Sequence, residues 1–182
     1  QHNCSGKHAA FLATCNKLNW PLENYLSQKH PIQIEIFRGV AKLLEIPADE
    51  LVAERDDCGA PTLRLQLSQM ALLYAHLANS KSAELEQISR AIINHPELIG
   101  GTNKFDTELI KRSHGQLISK AGAEGIQCIS RVGEGIGVAI KVEDGSKRAK
   151  HAVALKILSE LEWMTPTSLQ ELETMVINLK QG

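Results

Sequence analysis

The amino-acid sequence predicts an α+β fold, and two changes of pattern carry that expectation. Over roughly the first 120 residues apolar side chains recur at helical spacing. Between about 125 and 144 the pattern switches to β-branched alternation, and helical spacing returns from about 146 to 180.

The elements follow in order. Ala9–Lys17 has the spacing of a helix capped near Ser5. PIQIEIFRGVAKLLE, residues 31–45, predicts a second helix with Pro31 at its first position, where a missing N–H does no harm. ERDDCGAPT, 54–62, reads as a polar loop on its Asp, Gly and Pro content. LRLQLSQMALLYAHLA, 63–78, is apolar enough for a central buried helix. SAELEQISRAIINH, 82–95, is amphipathic and ends at Pro96. The glycine break IGGTN then precedes a short helix, FDTELIKRS, 105–113. GIQCISRV, 125–132, and GIGVAIKVED, 135–144, predict an antiparallel hairpin joined through Gly133-Glu134-Gly135. Asp144-Gly145 turns the chain into a helix at about 146–163, and Thr165-Pro166 opens a last one at about 166–180. A two-stranded hairpin is marginal alone. Its sheet is therefore expected to draw further strands from outside the chain. No internal repeat or low-complexity linker interrupts this order.

Composition narrows the function classes. With 182 residues, 43% hydrophobic and 23% charged, the chain fits one globular domain or one lobe of a larger enzyme. A net charge of −1 without a block of like charges argues against a nucleic-acid partner. No apolar run reaches the ~18–20 residues of a membrane span. Aromatics at 4% leave little for base stacking or carbohydrate platforms. Gln1 opens a polar stretch, so no signal peptide is expected, and the missing methionine predicts a start inside a longer product. Cys4, Cys15, Cys58 and Cys128 lack CxxC pairing and point to a reducing cytoplasm.

Three features could carry chemistry. Cys4-Ser5-Gly6-Lys7 is not a phosphate loop, because Gln1 and His8 stand where that motif needs Gly and Ser or Thr. Nor is it a Ser-x-x-Lys nucleophile, since His8 lies three residues after Ser5. Cys4 and Lys7 share a helix face. Lys7 could lower the Cys4 thiol pKa and make a nucleophile. Cys4 could instead bind a metal beside Lys7 or His8. The plainer alternative is a capped helix with a buried thiol. In Asp56-Asp57-Cys58-Gly59-Ala60-Pro61 the carboxylates would raise the thiol pKa and oppose a free thiolate. A metal would remove that objection by deprotonating the thiol; a surface turn remains the bland alternative. Lys141 shares a strand face with Gly137, Ala139 and Glu143, opposite Ile136, Val138, Ile140 and Val142. Its small neighbours leave room for backbone or ligand to approach. It could bind a carboxylate or act as a base, or simply be solvated.

The remaining polar residues divide quickly. Lys147 and Arg148 open a helix whose dipole they oppose, so they meet Asp144, an anionic partner or solvent. The seven histidines, His2 among them, show no HExxH spacing. His76 reads as a hydrogen-bonded core residue and His8 as the functional candidate. Cys15 and Cys128 read as packing residues.

Taken together, HNCSGKHAAFL, DDCGAPT, FDTEL, KAGAEGIQC and GVAIKVEDGSKRA occur in the order and spacing of the L-asparaginase II family of the Rhizobium etli inducible type. The resemblance covers nearly the whole chain, but only the C-terminal portion of the family's length. Residues 1–182 then form part of a single asparaginase domain: a helical region to about 120, the hairpin at about 125–144, and C-terminal helices at about 146–180. The resemblance implies a serine β-lactamase/glutaminase-like fold with a sheet formed by both chain ends, and a homodimer. It implies zinc held by Cys4, Lys7 and Cys58, with Asp56 contacting substrate; His8, by its place beside Lys7, is the second expected substrate-binding residue. It assigns Lys141 to a serine–lysine catalytic pair, with the serines upstream. The sequence departs from the family at Ala10 and at Asp57, each in place of a glycine. Asp57 is expected to add charge and remove backbone freedom beside Cys58.

A lysine ligand is physically admissible. Deprotonating an amine of pKa ~10.4 at pH 7 costs ~4.6 kcal/mol, against ~10–16 kcal/mol of apparent binding at structural zinc sites. The expected activity is hydrolysis of L-asparagine to L-aspartate and ammonia, with this segment inactive alone for want of its nucleophile. Rival readings are a Cys4-dependent amidohydrolase, a glutaminase or peptidase, and a non-catalytic fragment that binds an amino acid or a partner chain.

Overall fold

A computed structural model describes residues 3–79 and 81–178 of the chain, which falls into two units, Gln1–Gln66 and Leu67–Gly182. In the first unit, helix α1 covers Asn3–Lys17. It begins before Ser5, so Cys4, Lys7 and His8 sit inside its opening turns rather than ahead of a cap. Helix α2 covers Pro31–Leu44. Its N-cap is His30, whose Nδ1 accepts from the Ile32 N–H at 3.2 Å while its Nε2–H donates to Pro21 O at 2.9 Å. Buried Gln33 donates to Tyr25 O at 2.9 Å and ties the preceding loop to the helix.

The expected polar loop at 54–62 is in fact a hairpin. After a 3₁₀ turn at Ala48–Glu50, β1 (Ala53–Arg55) pairs antiparallel with β2 (Pro61–Leu63), Ala53 opposite Leu63 and Arg55 opposite Pro61. Three-residue strands are too short to show alternation, and turn-forming residues dominate the stretch between them.

The second unit opens with α3 (Leu67–Asn79), later than expected because Leu63 belongs to β2. Helix α4 (Ala83–Asn94) is capped by Ser82, whose Oγ accepts from Leu85 N–H at 3.3 Å. Pro96 ends the reach of α4 but also starts a short helix missed in the sequence, α5 (Pro96–Gly100). Helix α6 covers Phe105–Arg112. Strands β3 (Leu117–Ala121), β4 (Ile126–Arg131) and β5 (Ile136–Lys141) form an antiparallel sheet in that order. The third strand therefore lies within this chain, correcting the expectation that the hairpin's partners all lie outside it and that residues 1–120 are helical. Helices α7 (Lys147–Glu160) and α8 (Pro166–Asn178) complete the unit. The side chains of Lys147 and Arg148, like His2 and residues 179–180, lie outside the described residues.

Register gives the sheet two different faces. Leu117, Ile129, Val138 and Ile140 face α6, α7 and α8 in a core with Leu109, Leu158 and Leu172, all three fully buried. Each such leucine contributes about 1.5–3 kcal/mol. The motif FDTEL organises this contact. Phe105 and Leu109 enter the core. Buried Asp106 accepts from Ser119 Oγ at 2.7 Å, Gln127 Nε2 at 2.7 Å and Ala121 N–H at 2.8 Å. Thr107 Oγ1 donates to Gly101 O at 2.7 Å. On the opposite face, a Cβ on Gly137 would lie 2.0 Å from Ala71 O and 2.8 Å from Ala75 N. The small-residue face is thus occupied by helix backbone, from α3. That helix buries Ala75 and Ala78 rather than a broad surface, and His76 is half-buried instead of a core residue.

Candidate functional site

The first unit brings five predicted residues together. One turn of α1 supplies Cys4, Lys7 and His8; the turn between β1 and β2 supplies Asp56 and Cys58. The hairpin turn closes by Gly59 N–H to Asp56 O (2.9 Å) and Asp56 N–H to Ala60 O (3.1 Å). Gly59, at φ +83°, takes the left-handed position that glycine favours. Asp57 is exposed and does not take that position. The expected loss of backbone freedom at 57 therefore brings no left-handed strain.

Asp56 is the hub. Its Oδ1 accepts from Cys58 N–H (3.1 Å), Ala60 N–H (3.0 Å) and the Cys58 thiol (2.8 Å). Its Oδ2 takes the Lys7 ammonium at 2.5 Å. Desolvation pushes the Asp56 carboxyl up, but its bonds with Cys58, Lys7 and Ala60 outweigh that and hold it well below the usual carboxylate range. Desolvation likewise pulls the Lys7 ammonium down, and its hydrogen bonds to Asp56 and Cys58 reverse this to a net rise. The Cys4 thiol is raised by burial first, then by its hydrogen bond with Cys58; the opposing pull of Lys7 is weaker. That direction runs against a free Cys4 thiolate nucleophile.

His8 uses both ring nitrogens within the protein. Nε2 lies 3.0 Å from Cys58 Sγ and Nδ1 lies 2.8 Å from Tyr25 Oη. Tyr25 was not a sequence candidate. The only signal for it was the scarcity of tyrosine: the chain has two. A cavity of about 320 Å³ lined by Asn24, Tyr25, Leu26, Ser27 and Arg55 adjoins this residue. Lys141 belongs to the second unit, where its exposed side chain donates to Val142 O at 2.5 Å. Cys15 and Cys128 are buried packing residues, as expected.

Among the described residues no group of three or more His, Cys, Asp or Glu side chains is arranged to hold a metal ion. The implied set contains two such residues, Cys4 and Cys58, with the Lys7 amine as third donor. Cys4 and Lys7 both interact with the Cys58 thiol, so the three donors lie together. Among the described residues no helix is long and apolar enough to cross a membrane.

Fold and site together define an α+β protein whose thiol, amine and carboxylate groups meet at a helix start and a hairpin turn. The model of the L-asparaginase II family matches residues 1–182, and the chain belongs to that family, one of asparagine amidohydrolases. No curated protein matches the chain.

Proposed function

We propose that the protein hydrolyses L-asparagine to L-aspartate and ammonia. The observation that carries this reading is the meeting of CSGKH with DDCG inside a chain of the asparaginase family. A serine outside these 182 residues would attack the side-chain amide carbon, and its proton would pass to a lysine. Ammonia leaves, and water hydrolyses the acyl-enzyme. Lys141 is the lysine the resemblance assigns to that pair. The serine β-lactamase-like architecture and the homodimer belong to the same reading.

Cys4, Lys7 and Cys58 would hold zinc, whose chemistry there is Lewis-acid polarisation or orientation of substrate. The donor set fits in type: two soft thiols and an amine. Lys7 would have to surrender both its proton and its bond to Asp56. The released Asp56 carboxylate then becomes available to the substrate's ammonium group. Because thiols and ammonium must lose protons, zinc affinity falls steeply on acidification.

The test is ammonia release from L-asparagine and L-glutamine by the full gene product, metal-free and zinc-loaded, with Cys58→Ser and Lys7→Met variants beside it. Preference for asparagine and loss of one bound zinc in both variants are expected. Absence of asparagine turnover in the loaded protein refutes the activity, and full zinc retention in both variants refutes the site.

A further inference from the structure

We propose that Tyr25 is a positioning residue that fixes the tautomer of His8, so that His8 always presents an N–H to the sulfur of Cys58. The assignment follows from the direction of a hydrogen-bond chain. Asp56 Oδ1 can only accept, and the Cys58 thiol donates its one proton there, at 2.8 Å. With its one proton spent on Asp56, the sulfur can only accept from its remaining neighbours, so His8 Nε2 carries the proton across 3.0 Å. A neutral imidazole protonated on Nε2 has a bare Nδ1. The tyrosine hydroxyl, 2.8 Å away, donates to it. Protons therefore point one way, from Tyr25 through His8 and Cys58 to Asp56. This polarity keeps His8 from serving as the base toward the Cys58 thiol, and makes it a standing donor to that sulfur.

The surroundings hold Tyr25 for this task. Its carbonyl is gripped by buried Gln33 of α2, and its ring meets those of His8 and Phe11 edge-on at 5.8 and 6.4 Å. Ring contacts survive loss of the hydroxyl, so Tyr25→Phe isolates the hydrogen bond. In its functional consequence the inference rests on the zinc reading above. A donor to a ligating sulfur steadies the ligand, and removing such supporting bonds costs about 10–100-fold in metal affinity.

Imidazole 15N spectra of the full chain at about pH 8, where histidine is neutral, test the assignment, with His8 resonances identified by His8→Gln. Wild type should show His8 as the Nε2–H tautomer and Tyr25→Phe a mixture of the two. His30 is an internal control. Its Nδ1 accepts from Ile32 and its Nε2–H donates to Pro21, so its spectrum should not change. An Nδ1–H form of His8 in the wild type, or an unmixed Nε2–H form in Tyr25→Phe with His30 intact, overturns the proposal. In zinc titrations Tyr25→Phe should bind about tenfold more weakly. Equal affinity overturns the supporting role. A wild type that takes no zinc sinks the metal reading alone, and the tautomer spectra still decide on Tyr25.

Discussion

Replacing Asp56 separates the two tasks that one side chain performs. Asparagine keeps an Oδ1 acceptor for the N–H groups of Cys58 and Ala60, but turns an amide NH₂ toward the Lys7 ammonium. The side chains of Lys7 and Asp56 are 33% and 27% exposed. Their pair therefore lies between exposed pairs, worth under about 1 kcal/mol, and buried ones, and Asp56→Asn should cost about 1–2 kcal/mol. Alanine also removes three hydrogen bonds of about 1 kcal/mol each, so Asp56→Ala should cost about 4 kcal/mol. Urea titrations can read this in the first unit alone. Trp20 and Trp163 lie in different units, and a Trp163→Phe background leaves only the Trp20 fluorescence. The effect has a defined pH window. The lowered Asp56 pKa contributes stability above the ordinary carboxylate value of ~3.9, and that contribution drains away as pH falls below it. The raised Lys7 pKa contributes below the ordinary ~10.4 and is lost as pH climbs through the higher folded value. The gap between wild type and Asp56→Asn should be flat between these limits and close at both ends. A gap unchanged from pH 7 to pH 2, or equal costs for Asn and Ala, would refute the division of labour.

Other perturbations probe the second unit. Gly137→Ala drives a methyl group into the α3 backbone and should cost about 3 kcal/mol, seen as faster amide exchange along α3; unchanged exchange would contradict the close approach. Burial, then the Asp106 charge, push the Cys128 thiol from its ordinary 9.0 to about 11. The unfolded thiol ionises first, so stability should fall by about 3 kcal/mol between those pH values. Cys128→Ala should remove that share of the alkaline slope, leaving only what other raised groups such as Tyr74 and Cys4 contribute. Leu158→Ala, at a fully buried position, should cost about 3–5 kcal/mol. Trp163 in the same core reports the transition, and a loss below 1 kcal/mol would mean the core repacks.

Helices with strong punctuation were legible in the sequence. Pro31, Pro96 and Pro166 mark starts or stops by covalent geometry and Ser82 by a local capping hydrogen bond, and neither needs tertiary context. Short strands were not. Leu117–Ala121 contains Ser119 and Lys120, and Ser119 is buried only because Asp106 and Gln127 satisfy it. The meeting of Cys4 and Lys7 with Cys58 was legible through the family resemblance, since spacing alone left a plain helix and a plain turn open. What spacing and resemblance both missed was Tyr25. Its role is created by a non-local contact, made from a loop whose own residues show no periodicity.

The hydrogen bond between Lys7 and Asp56 spans 49 positions of the chain. Half of the thiol cluster thus arrives with the first turns of α1 and half with a hairpin far downstream. Neither half has its partners until that loop has closed. Thiol-labelling kinetics at residues 4 and 58 will accordingly serve as a clock for folding of the first unit.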